Sequence, residues 1–143
     1  MSAVPSPSSP SQPWRALVID DELSIRRVLR RYLERVGWSV VEASDGAGAR
    51  RAFAEPDADF DLVICDLNLP DCTGLELRQR LLAQRPGLRG RFIVSTGESV
   101  VGSGTLIGRE GRELSSSGLL LTKPYSLDEL GAVVRKVEQA VAA

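Results

Sequence analysis

Residues 62–71 read LVICDLNLPD, and the first five of them decide the fold. Leu62, Val63, Ile64 and Cys65 run directly into the carboxylate of Asp66, with Asn68, Pro70 and Asp71 close behind. A short, unbroken apolar run fits a strand covered on both faces, as in a parallel sheet. The acid that ends it has two readings. It is either the solvated first residue of a loop or a carboxylate aimed at something that needs one.

The same signature recurs on both sides. Ala16, Leu17, Val18 and Ile19 end in Asp20 and Asp21. A helix follows, with Ile25, Val28, Leu29, Tyr32, Leu33 and Val36 on one face and Gly37 as its stop. Residues 38–43 read as a second strand, 45–54 as a small alanine-rich helix weakened at its start by Gly46 and Gly48, and 61–66 as the third strand. Thr73 and Glu76 have capping-box spacing and open a helix to about Gln84, before Pro86 and Gly87. Residues 91–95 and 119–122 read as strands four and five. A second capping box, Ser126 with Glu129, opens a last helix whose apolar face is Leu130, Val133, Val134 and Val137. Strands alternating with helices imply right-handed crossovers and a parallel sheet with helices on both faces. The span 97–118 must hold the fourth helix yet contains six glycines, each costing roughly 1 kcal/mol inside a helix. A helix there, about 105–114, is expected to be short and poorly anchored.

Composition narrows the function. A chain of 143 residues is one domain by length, able to bury a core without a metal or disulfide staple. Eighteen basic against nineteen acidic residues lack the basic excess of a nucleic-acid footprint. The cluster Arg26, Arg27, Arg30 and Arg31 reads as the solvated side of a helix. With no histidine, Cys65 and Cys72 form no zinc pattern and suit a reducing, cytoplasmic setting. No run approaches the ~20 apolar residues of a membrane span. The start, MSAVPSPSSPSQP, lacks the regions of a secretory signal and reads as a disordered tail over 1–13, with the folded domain over 14–143.

Ligands of open parallel sheets bind beyond the carboxyl ends of the strands. This sequence places Asp20 and Asp21, Asp66, Ser95 and Thr96, and Thr122, Lys123 and Pro124 at those ends. Singly, each has a plain structural reading: Asp21 as a helix cap, Asp66 as a loop start, Thr96 as a structural hydroxyl, Lys123 as a surface charge. Together they are harder to dismiss, because two like charges 4 Å apart repel by about 4 kcal/mol at an effective dielectric near 20. A compensating cation is expected, and hard oxygen ligands suit magnesium. Asp66 then becomes a nucleophile able to form an aspartyl phosphate, with Asp21, and Asp20 behind it, holding the metal. Lys123 and Thr96 neutralise phosphoryl oxygens, and Gly97 leaves the approach open.

VIDDE at 18–22, VICDLNLPDCTG at 63–74, VSTGE at 94–98 and LTKPYS at 121–126 resemble, in order and near-spacing, the response-regulator receiver domain of two-component signalling. The resemblance covers 14 to about 142. It implies a flavodoxin-like three-layer α/β sandwich, with a five-stranded parallel sheet in order 2-1-3-4-5 and five helices on both faces. It implies transfer of a phosphoryl group from a histidine kinase or histidine phosphotransfer protein to Asp66, with self-catalysed transfer and autodephosphorylation rather than turnover as an enzyme. Magnesium, with manganese as a substitute, is then held by Asp21, Asp66, the Asn68 backbone carbonyl and, through water, Asp20. Asn68 and Glu98 side chains tune phosphate loss. Leu120 departs from the family, which usually has an aromatic switch residue there. The stretch 97–118 is longer than in a typical stand-alone regulator and similar to receivers of hybrid histidine kinases.

With one helix left after Lys123, no room remains for a DNA-binding module. The expected output is through an unidentified partner protein, without direct contact to nucleic acid or membrane. The alternatives are a phosphate sink or the excised receiver of a hybrid kinase. A phosphorylation-independent binding module is a further reading. So is a haloacid-dehalogenase-like phosphatase, against which Asn68 stands where that chemistry needs a general acid.

Overall fold

The computed structural model describes residues 13–97 and 108–142. Its elements alternate as the apolar runs require: β1 (Arg15–Ile19), α1 (Leu23–Arg35), β2 (Ser39–Ala43), α2 (Gly46–Phe53), β3 (Leu62–Asp66), α3 (Gly74–Gln84), a 3-10 helix (Pro86–Arg91), β4 (Phe92–Thr96), α4 (Gly108–Ser117), β5 (Leu120–Thr122) and α5 (Leu127–Ala142). All pairings are parallel and the strand order is β2-β1-β3-β4-β5. The right-handed crossover rule then sets α1 on one face and α2, α3 and α4 on the other. The central strands β3 and β4 are buried along their whole length, which is why their sequences are continuous apolar runs rather than alternating ones.

Register brings the strand tips level. Ile19 lies opposite Cys65, Asp66 opposite Ser95, and Thr96 opposite Thr122. The ladder continues one residue past the strands, through Asp20 N–H to the Ala43 carbonyl (3.1 Å), Leu67 N–H to the Ser95 carbonyl (2.7 Å) and Lys123 N–H to the Thr96 carbonyl (2.7 Å). Asp20, Asp66, Thr96 and Lys123 therefore stand on one edge of one sheet.

The opposite end of the sheet carries the two tryptophans. Trp14 and Trp38 precede β1 and β2, their ring centroids are 5.4 Å apart, and the Trp38 indole N–H donates to Glu138 Oε2 of α5 at 2.9 Å. On that face α1 and α5 pack closely: a Cβ at Gly131 would fall 2.8 Å from the Tyr32 hydroxyl oxygen.

Both predicted capping boxes form. Thr73 Oγ1 accepts from Glu76 N–H (3.1 Å) while Glu76 accepts from Thr73 N–H (2.9 Å). Ser126 and Glu129 exchange the equivalent pair at 3.0 and 2.8 Å. Three expectations need correction. The two glycines at the start of α2 are offset by two acids, because Asp45 accepts from Gly48 N–H (2.7 Å) and Asp71 accepts from Gly46 and Ala47 N–H (2.8 and 2.9 Å). The fourth helix, expected over 105–114, is described over Gly108–Ser117, past the expected end, while 105–107 lie outside the described residues; it is anchored by ion pairs that its glycine content did not reveal. Nor is the arginine cluster simply solvated: Arg26 and Arg30 both pair with Glu42, at 3.0 and 2.5 Å. The tail expected over 1–13, except Pro13, lies outside the described residues, as does Glu98.

Gly74 fixes α3 against the site strand. Its N–H donates to the Leu67 carbonyl at 2.6 Å, and a Cβ there would meet the Asp66 carbonyl oxygen at 2.5 Å. That oxygen belongs to a buried strand and has nowhere to move. Gly74→Ala is expected to destabilise the domain by about 1–3 kcal/mol, the usual scale of overpacking. Urea denaturation measures this, and a loss within error of zero would show that α3 tolerates a shift.

Candidate metal centre

Asp20 is 1% exposed at the tip of β1 and every one of its oxygens is engaged. Oδ1 accepts from Glu22 N–H (2.9 Å), Oδ2 accepts from Lys123 Nζ (2.9 Å), and the backbone carbonyl accepts from the Arg26 guanidinium (2.7 Å). Asp66, 8% exposed, ends β3 with Oδ1 3.3 Å from Lys123 Nζ. Asp21 follows Asp20 and is exposed. Asp20, Asp21 and Asp66 each bring one carboxylate oxygen within 4.8 Å of the others.

The plain readings of these residues now meet the structure. Asp21 is not the cap of α1: Glu22 holds that position, with no side-chain hydrogen bond. Asp66 is no solvated loop start, since it is buried and paired in register with Ser95. Thr96 is 1% exposed at the end of β4, and the Lys123 side chain is 17% exposed, too buried for a surface charge. The structure thus brings Asp20, Asp21, Asp66 and Lys123 together, with Thr96 at the tip of the neighbouring strand. Beside them, an antiparallel bridge between Asn68 and Thr73 fixes the backbone that carries the Asn68 carbonyl. A Cβ at Gly97 would meet nothing within 4 Å among the described residues. Leu120 is half-buried against the core.

Electrostatics follow from two buried carboxylates sharing one ammonium, with the exposed Asp21 close by. Burial is the largest influence on Asp66 and raises its pKa; Asp20 and Asp21 push the same way, and Lys123 opposes them without cancelling them. On Lys123, burial alone pulls the ammonium down, but the hydrogen bond to Asp20 and the attraction of Asp20 and Asp66 outweigh it and hold the group above its ordinary range. Burial pushes the Tyr125 phenol up to about 12, so the ring beside Lys123 stays neutral. A surplus of negative oxygen ligands, part-buried and within reach of one another, fits a small divalent cation that keeps some of its water.

One functional contact had no local signal in the sequence. Asp71, five residues beyond Asp66, spans to the start of α2 and moors the loop after β3 there. The Gly46 backbone holds its carboxyl below the usual range. Only the folded chain brings those two segments together.

A family model for the response regulator receiver domain matches residues 16–135. The chain is 39% identical over 121 residues to the transcriptional regulatory protein KdpE of Mycobacterium tuberculosis, covering 83% of this chain and 48% of KdpE. It is 30% identical over 119 residues to the probable transcriptional regulatory protein TcrX of the same organism, covering 83% and 47%. The chain thus spans about half the length of these curated relatives. Among solved structures it is similar to the chemotaxis response regulator CheY4 of Vibrio cholerae, with TM-score 0.70, 26% identity and coverage of 88% and 99%. It is also similar to the response regulator TrrA of Thermotoga maritima, solved with Mg(2+)-BeF, with TM-score 0.66, 26% identity and coverage of 87% and 98%.

The raised pKa of Asp66 has a defined consequence for stability. The folded state holds the proton more tightly than the unfolded one, so the penalty is absent below the ordinary carboxylate range and complete above the folded pKa. Asp66→Asn removes the charge and keeps the shape. In chelator at pH 7 it is expected to stabilise the domain by about 1 kcal/mol or more, the scale of like charges ~4 Å apart. The gain should fade as pH falls through the carboxylate range. Thermal melts across pH measure it, and a destabilised variant at neutral pH contradicts the reading.

Proposed function

The chain belongs to the response regulator receiver domain family, and on that premise we propose that it accepts a phosphoryl group on Asp66 in a magnesium-dependent reaction with a protein phosphohistidine. The observation that carries this is the shared edge: Asp20, Asp21 and Asp66 with oxygens within 4.8 Å, and Lys123 Nζ 2.9 and 3.3 Å from two of them. The relative solved with Mg(2+)-BeF supports the same chemistry here.

An Asp66 carboxylate oxygen forms the new O–P bond as the P–N bond of the donor breaks and the imidazole nitrogen leaves with the bonding pair. The carboxylate form of Asp66 is itself the nucleophile, so no base is needed to activate it. Lys123 releases Asp66 Oδ1 to pair with a phosphoryl oxygen and stays tethered to Asp20. Thr96, at the tip of β4, offers its hydroxyl to a second oxygen. Magnesium, held by Asp21, Asp66 and the Asn68 carbonyl with Asp20 behind them, supplies charge neutralisation when bound. Loss of the phosphoryl group to water is likewise self-catalysed, so the chain is a switch rather than a turnover enzyme.

A protein donor is supported by the surface beside the site. Leu23, Val28 and Leu127 are large apolar side chains about half exposed, at 49, 51 and 51%. A groove of about 390 Å3 lined by Ile25, Val28, Lys123, Pro124 and Tyr125 leads from them toward the lysine. Arg27, Arg31 and Arg35 line the adjoining surface of α1. A kinase or phosphotransfer helix with an apolar stripe and an acidic flank fits this face. The two free thiols, Cys65 and Cys72, support a cytoplasmic setting. The near-neutral charge supports output through a protein surface rather than nucleic acid.

Incubation with acetyl phosphate and magnesium should add the mass of one phosphoryl group, lost in EDTA and in Asp66→Asn. An unmodified wild-type chain beside a working control regulator overturns the proposal. Val28→Glu should slow transfer from a cognate kinase by roughly tenfold or more, as one mispaired charge in an interface predicts. Modification by acetyl phosphate should be unchanged. Equal slowing with both donors would remove the docking role.

A further inference from the structure

Arg78 is the one fully buried basic side chain among the described residues, 2% exposed on the inner face of α3. A buried charge persists only where partners compensate it, and here they come from another helix. Its Nη1 donates to Glu110 Oε2 (2.5 Å) and its Nη2 to Glu113 Oε2 (3.1 Å), both on α4. Gln79 and Arg89 reinforce the same pair: Gln79 Nε2 donates to Glu110 Oε1 (2.9 Å), and Arg89 Nη1 donates to both Glu113 oxygens (2.9 and 2.8 Å). The Arg78 Nε has no hydrogen-bond partner, so among the described residues the guanidinium is held by these two carboxylates.

Among the described residues, other forces holding α4 are few. Leu114 is its one fully buried large apolar side chain among the described residues. At ten residues the helix is shorter than the roughly 12–15 at which isolated helices become even marginal in water. Its first residue, Gly108, and buried Gly111 add nothing to its propensity. By contrast, α3 buries Leu77, Leu81 and Leu82, and α5 buries Leu130, Val134 and Val137. The three helices differ in what fixes them: α3 and α5 are held by apolar area, α4 by charge.

We propose that Arg78 is an electrostatic latch that docks α4 onto α3, and that without it α4 detaches as a unit while the sheet stays folded. Ion pairs depend on geometry in a way apolar burial does not, because two or three atoms moving by an ångström or two break them. On this reading α4 is a unit that can release from α3 without unfolding the core. Arg78 lies one helical turn after Gly74, which is packed on the Asp66 carbonyl, so the latch hangs from the site strand itself. It is a positioning residue and touches no reacting group.

Glu110→Gln, Glu113→Gln and the double variant keep the side-chain shape and leave only the charge out. Native-state amide hydrogen exchange on the full chain, with neither phosphoryl donor nor metal, reads the result segment by segment. In the double variant the amides of 112–117 should exchange roughly tenfold faster or more, the scale of losing one hydrogen bond to a charged group. Those of β1, β3 and β4 should keep their wild-type rates. The single variants should each show part of the effect, and Arg78→Lys, which keeps the charge but not the two-pronged reach, should not restore wild-type protection. Wild-type exchange of α4 in the double variant would overturn the latch. Equal acceleration of α4 and the sheet would overturn it too, since α4 would then be part of the core.

Discussion

Lys123 lies 2.9 Å from Asp20 and 3.3 Å from Asp66, and without that ammonium the edge of the sheet could not hold its acids. Asp20 is almost completely buried and Asp66 nearly so. Carboxylates taken that far out of water need a compensating charge, because desolvation otherwise exceeds what the fold can spare. One ammonium answers for two of them and leaves the third, Asp21, in solvent. The pocket is thus charged enough to draw a cation and stable enough to exist before one arrives. Lys123 itself is held by its partners above its ordinary range, which favours the ammonium form.

The lysine reaches that position only through parallel pairing in one register. Thr96 stands opposite Thr122, so Lys123 projects one residue beyond the sheet, just as Asp20 does after Ile19. A shift of one residue in any strand would turn its tip residue to the other face. Buried runs such as Val63, Ile64 and Cys65, packed from both sides, make a shift of that kind expensive. Core packing and site assembly are therefore one constraint seen from two ends of the same strands.

Much of this was legible in the sequence because it is local. Apolar runs closed by polar residues gave the strands, and Thr73 with Glu76 and Ser126 with Glu129 gave the helix starts within a residue. The convergence of Asp20, Asp21, Asp66, Thr96 and Lys123 followed from the rule about strand ends. What escaped reading depends on contacts across long stretches of chain. Asp71 stands only five residues after Asp66 in sequence, yet its carboxylate closes the start of α2, reached across 25 residues. Nothing in its sequence context sets Arg78 apart, although it sits beneath α4 with Glu110 and Glu113 over it. Glycine count gave the weakness of α4 but not the charges that offset it. Propensity is a property of a segment, and anchorage is a property of its neighbours.

The tryptophan pair has a practical bearing. Trp14 and Trp38 sit at the amino ends of β1 and β2, whereas the acids sit at the carboxyl ends. Six residue steps at about 3.3 Å each separate Trp14 from Asp20 by about 20 Å. Indole emission from this chain will respond when Glu138 and the α5 packing are lost, as in global unfolding. It will stay nearly silent while a cation enters or leaves the opposite pole. A fluorophore for the occupied pocket has to be brought in from outside.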